Sequence, residues 1–134
     1  MIKSIPENFH DGIIQDICIG LRKKITALTL ENYLLENDRP NGLTIKRKLS
    51  FYGVVLQEFS SFQQDNIVFD ITESESFDDF SVEQKLYLER MRNYFNPGFL
   101  ESIRIDQDLK YYSIHTSTGV EGFVISRGYE VVSL

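Results

Sequence analysis

Leu43-Thr-Ile-Lys-Arg-Lys-Leu-Ser-Phe-Tyr52 alternates between apolar and polar residues, and its period decides the fold class. Leu43, Ile45, Leu49 and Phe51 share one parity; Thr44, Lys46, Lys48 and Ser50 share the other; Arg47 is the one polar residue on the apolar side. Successive side chains of an extended chain point to opposite faces, so this alternation describes a strand with one face on a core and one in water. Half-covered strands belong to antiparallel sheets.

Upstream, Glu36 to Gly42 (ENDRPNG) reads as a loop, because Asn and Asp tolerate positive φ and Pro fixes φ. Ile25 to Leu35 is a strand, with Leu28 and Leu30 on one face. Ile13 to Leu21 is another, apolar on both parities, and the two pair as a hairpin across Arg22-Lys23-Lys24. Residues 1–12 read as an irregular lead-in punctuated by Pro6 and Gly12. Downstream, Gly53 ends or bends the strand, and Val54 to Phe59 continues it past a bulge. Asn66 to Thr72 forms a further strand, with Ile67, Phe69 and Ile71 inward.

One helix is expected from Ser81 to Phe95. Ser81-Val-Glu-Gln84 matches a capping box, and Tyr87, Leu88, Met91, Tyr94 and Phe95 form an apolar stripe. Val82 and Leu86 fall off that stripe, and Asn96-Pro97-Gly98 stops the helix. Phe99–Asp106, Lys110–Thr116, Val120–Ser126 and Tyr129–Leu134 then read as strands of an antiparallel meander. The expectation is an α+β fold in one domain over residues 1–134. It is a mostly antiparallel sheet of about six to eight strands, with one main helix (about 81–95) packed on it.

The 134 residues carry a formal charge of −6, with 42% hydrophobic residues, seven Tyr, ten Phe and no Trp. This aromatic content argues against disorder. The negative balance disfavours nucleic acid, whose binding draws on cationic neutralisation of phosphates. It suits a basic protein partner instead. A lone cysteine, Cys18, allows neither an intrachain disulfide nor a cysteine-based zinc site, and reads as a small buried hydrophobe. MIKSIPENF at the start lacks a signal-peptide core, and no apolar run approaches the ~20 residues of a membrane helix, so the cytoplasm and no membrane contact are expected. No phosphate-cradling or nucleophile-elbow motif occurs, and no cofactor or metal is expected.

Two constellations carry chemistry. His10-Asp11 is an imidazole beside a carboxylate, suited to acid–base work or metal ligation, and His115 is the other histidine. His115 shares a strand face with Tyr111 and Ser113. The ordinary explanation of both histidines is backbone bonding or solvation. The second is an acidic stretch, with Asp65, Asp70, Glu73, Glu75, Asp78, Asp79 and Glu83 uninterrupted by Lys or Arg. Phe77 and Phe80 lie among these acids as aromatic anchors for a partner. Its ordinary explanation is a solvated loop whose acids favour the following helix N-terminus. The calcium-loop pattern with its central glycine is absent.

Phe9-His10-Asp11 leading into a hairpin, Tyr52-Gly53 at a strand end, and Thr118-Gly119 before Phe123-Val124-Ile125 together resemble a loose group of small bacterial proteins. Some of that group are associated with toxin–immunity systems. The resemblance implies a non-enzymatic role, neutralising a partner protein, and it carries over no catalytic residue. The leading expectation is therefore a binding module, immunity or antitoxin-like. It docks a basic partner through Glu73, Glu75, Phe77, Asp78, Asp79 and Phe80. The alternatives are a small-ligand or metal-dependent enzyme with a His10/Asp11/His115 cleft, and a structural or homo-oligomeric component using Val82 and Leu86.

Overall fold

The computed structural model describes residues 2–134. Its strands are β1 (Ile2–Ser4), β2 (Ile13–Gly20), β3 (Ile25–Glu36), β4 (Arg39–Tyr52), β5 (Leu56–Ser60), β6 (Ile67–Ser74), β7 (Lys110–Thr118), β8 (Glu121–Ser126) and β9 (Gly128–Ser133). Between β6 and β7 lie α1 (Phe77–Glu83), α2 (Lys85–Met91) and α3 (Phe99–Arg104). The protein is thus a sheet-rich α+β structure. Its nine strands exceed the six to eight expected, and short helices replace the single long one. Among the described residues no helix is long and apolar enough to cross a membrane.

All strand pairs are antiparallel, in the order β5-β8-β7-β6-β2-β3-β4-β9, with β1 also on β6. The two ends of this order meet. Gly53, at φ 63°, turns β4 into β5, and Arg127 alone separates β8 from β9. Tyr52 pairs with Gly128 on one side of this corner and Leu56 with Ile125 on the other. Arg127 N–H donates to Tyr52 O (3.0 Å) and Val55 N–H to Ile125 O (2.9 Å) across it. β4–β5 and β8–β9 are therefore two bent runs paired along their length. The first twelve residues complete the circuit along β6. β1 pairs at Ile2↔Ser74, Ile5 N–H donates to Ile71 O, Asp11 N–H to Val68 O, and β2 takes over at Ile13↔Ile67. Following the pairs from β3 through β4–β5, β8–β9, β7, β6 and β1–β2 returns to β3. Closure removes the exposed edges of an open sheet.

Inside the ring lie Leu28 and Leu30 of β3, Leu49 and Phe51 of β4, Val68 of β6, Tyr112 and Ile114 of β7 and Val124 of β8. Side chains fill a barrel of this few strands, leaving no lumen. The opposite parity of β7 and β8, with Tyr111, Phe123 and Ile125, supports a second core beneath the helices with Phe80, Tyr87, Ile103 and Leu109.

Several local expectations are corrected. The lead-in is part of the core, with Ile5 at 6% and Phe9 at 3% exposure. The loop over 36–42 narrows to Asn37-Asp38, both at positive φ, because Glu36 pairs with Arg39. That tight hairpin extends beyond the ring, so Leu43 is exposed rather than inward. Phe69 is exposed while Val68 is buried, because bulges at Ile67/Val68 and Val68/Asp70 reverse the parity. Cys18 is exposed on β2.

The helix starts earlier than Ser81. Ser76 caps α1, its hydroxyl accepting from Asp79 N–H (3.2 Å), because this start places Phe80 against Tyr111 and Phe123. Ser81 lies inside α1 and donates to Asp78 O. At Gln84 (φ −107°, ψ 30°) the chain breaks between α1 and α2. Phe99–Asp106 is helical rather than extended. Gly98 at φ 80° launches α3, Ile103 packs inward, and Glu101 pairs with Arg104 at i,i+3.

Candidate functional site

His10 and His115 line different cavities. His10 sits at the mouth of a cavity of about 180 Å³ with Asn8, Asp11, Asn32 and Tyr33. Its Nδ1 lies 2.9 Å from Phe69 O and its ring edge meets Phe69. A carbonyl can only accept, so this contact assigns the proton to Nδ1 and turns Nε2 outward. Nε2 lies 3.6 Å from Asp11 Oδ2, longer than a hydrogen bond, and both side chains are more than half exposed. The surrounding backbone is held by Asn32, which donates to His10 O (3.1 Å), and by Arg47. Arg47, the polar exception in the alternating strand, lies 4.2 Å above Phe9 and donates to Asn8 O and Asn32 Oδ1. It ties the lead-in across the ring.

His115 belongs to a second, narrower cleft of about 130 Å³ between the outer face of β7–β8, the end of α1 and β5. The register Thr72↔Ser113↔Phe123 sets its floor. His115 Nε2 stands 3.3 Å from Thr72 Oγ1 and 3.6 Å from Glu83 Oε1. Both contacts converge on one nitrogen. In a catalytic relay the orienting carboxylate and the nucleophile occupy opposite ring nitrogens, so this arrangement positions an imidazole rather than building a relay. Glu58 and Glu121 complete an acidic rim, and Arg90 of α2 already reaches Glu58 at 2.6 Å. Ser113, only 7% exposed, lines the cleft, and its hydroxyl has no hydrogen-bond partner among the described residues. No group of three or more His, Cys, Asp or Glu side chains among the described residues is arranged to hold a metal ion.

The acidic stretch splits into two faces. Phe80 is buried at 3% and Phe77 is half-buried against Phe80 and Tyr111, so both rings pin α1 to the sheet instead of projecting from it. Glu73 shares the parity of buried Ile71 and pairs in register with Tyr112, whose neutral phenol it helps to favour. Asp79 sits over the α1 N-terminus within 3.5 Å of the Ser74 hydroxyl. Glu75 and Asp78 are outward. Lys110 hydrogen-bonds Glu75 and holds its carboxyl below the usual range. Arg104 has its pKa raised chiefly by its hydrogen bond to Glu101, with Asp78 contributing a smaller part. Val82 and Leu86, expected off the packed stripe, are 78% and 82% exposed around the α1–α2 break.

The sequence placed Ser113 and His115 on one strand face and Glu83 in the acidic stretch; what it missed is that they meet, with Thr72, Glu58 and Glu121. The parity of Ser113 and His115 was the available signal, whereas the cross-strand and helix neighbours depend on register.

Comparison with known proteins finds no matching family model, curated protein or solved structure. Residue roles therefore rest on the geometry of this chain alone.

Proposed function

We propose that this protein is a binding module that docks a basic protein through the acidic face running from Glu75 and Asp78 along α1 to Glu83. The observation that carries the reading is the anchoring of α1: Phe77 and Phe80 are packed on Tyr111 and Phe123, which fixes the outward carboxylates on a rigid platform. Preorganised charge steers encounter and fixes orientation without ordering a loop on binding. Val82 and Leu86 flank Glu83 and supply apolar contact area. The anchoring role first given to Phe77 and Phe80 passes to these residues. A blocking role of the immunity or antitoxin kind is consistent with such a rigid binder.

The test is capture of the partner, followed by association kinetics with Asp78→Lys. The expected result is association slowed about tenfold at low salt with dissociation little changed, and a difference that shrinks as salt rises. Equal association rates for wild type and variant overturn the reading. The exposed Val82 and Leu86 also favour a second reading, self-association through that patch. It predicts a mass above 15.6 kDa in light scattering that Leu86→Glu returns to the monomer.

A further inference from the structure

We propose that the cleft around Ser113 and His115 is an anchor pocket for a guanidinium group, an arginine side chain of the basic partner. This rests on the docking reading and names its point of attachment. Three observations converge. The first is the balance of charge. Glu58, Glu83 and Glu121 ring the cleft, and Arg90 engages only Glu58. Glu83 stands 3.6 Å from His115 Nε2, and Glu121 has no ion-pair partner among the described residues.

The second is Ser113. The residue is only 7% exposed and its hydroxyl has no partner among the described residues, yet that oxygen is not sealed from solvent, so a ligand in the cleft can supply the bond that water otherwise makes. Its oxygen opens into the cleft among the carboxylates, so an incoming donor satisfies it without any rearrangement. The third is fit. About 130 Å³ accommodates a planar side-chain tip but not a peptide or a nucleotide. Guanidinium presents five N–H donors in a fixed fork, matched to several acceptors at once, whereas an ammonium is a compact point charge. Arg90 against Glu58 already displays this contact at the rim.

Gly122 keeps the cleft wall low. A Cβ there would lie 2.4 Å from Glu58 O, so any larger residue would push β5 away from β8 and dismantle the rim.

The experiment is an NMR titration of the isotope-labelled protein with N-acetyl-arginine amide at low ionic strength, beside the lysine amide and the neutral citrulline amide. The Gly122 amide and the His115 ring are the reporters. The expected result is saturable shifts at both with the arginine probe, weaker ones with lysine and none with citrulline. Glu83→Gln and, independently, Glu121→Gln should each weaken the arginine probe about tenfold, the scale of one charge-assisted hydrogen bond. Both residues are outside the buried cores, so the variants should melt as wild type does. Ser113→Ala should weaken it by a smaller factor. Equal shifts from citrulline, equal binding of lysine, or unchanged affinity in both glutamine variants overturns the assignment. These readouts need no partner. A failed pocket with a charge-steered partner is thus distinct from a failed docking reading, which appears as Asp78-independent association.

Discussion

At the residue scale, the ring interior holds a polar arrangement that has a titration signature. Tyr129 donates to Glu7 Oε2 at 2.5 Å, and Tyr112 packs against both Tyr129 and Phe51. Burial is the largest cause that pushes the Tyr112 phenol far above its ordinary value of 10.0, and Glu73 adds to it. Burial does the same for Tyr129, with Glu7 adding. The neutral phenol is therefore favoured by the fold. For a group whose folded value is raised, the stabilisation is complete below the unfolded value near 10 and is lost as pH rises from there toward the folded one. Tyrosinate absorbance should reach its full amplitude only as the protein unfolds, because burial holds Tyr87, Tyr111, Tyr112 and Tyr129 neutral in the folded state. Stability measured in urea should fall steadily above pH 10. A single titration step that reaches full amplitude while the protein stays folded would contradict this account.

At the scale of elements, two capping signals compete within a few residues. Ser76-Phe-Asp-Asp79 and Ser81-Val-Glu-Gln84 both fit an N-terminal pattern, and local chemistry does not choose between them. Packing does, because only the earlier start buries Phe80. Ser76→Ala should therefore cost about 1 kcal/mol, the usual worth of an N-cap. Ser81→Ala, inside α1, should change stability by less than about 0.5 kcal/mol. Urea denaturation of the two variants decides the matter, and the reverse ranking would restore the later start. The elements that alternate cleanly were legible in sequence. Leu49 and Phe51 are fully buried as their parity requires, and so are Leu28 and Leu30. What was hidden are the points where alternation slips. The bulges around Val68 and between Ile14 and Asp16 move side chains across the sheet without altering composition. The stretch Phe99–Asp106 carries apolar residues compatible with both periods, and Gly98 tips it into a helix. The candidate site was less legible for the same reason. His115 and Ser113 share a strand, but Glu83, Glu121 and Glu58 reach them from α1, β8 and β5, through a register that no local pattern encodes.

At the scale of the whole molecule, closure of the ring depends on residues that look dispensable in sequence. The lead-in shares the β6 edge with β2 and sends Ile5 and Phe9 into the core. From its far side, Arg47 stacks on Phe9 and grips Asn8, and Tyr129 of β9 grips Glu7. A strand from the first half of the chain and the last strand therefore meet on a segment that composition alone marks as irregular. Phe9→Ala removes the ring beneath the Arg47 guanidinium and leaves a cavity beside Leu30 and Leu49, members of the same core. The cost should be about 3–5 kcal/mol, a large part of what a domain of this size commands. Arg47→Met, which keeps the bulk over Phe9 and removes a guanidinium whose Nε is buried without a partner, should cost much less. Hydrogen exchange separates this from a purely local effect. If the lead-in closes the ring, Phe9→Ala should raise exchange at Val68 and Ile71 of β6 and at Leu28 and Leu30 of β3 together. The exposed tip around Asn37 and Asp38, which lies beyond the ring, should exchange fast in both proteins. Loss of protection confined to residues 5–12 would mean that the lead-in merely covers a barrel that closes without it.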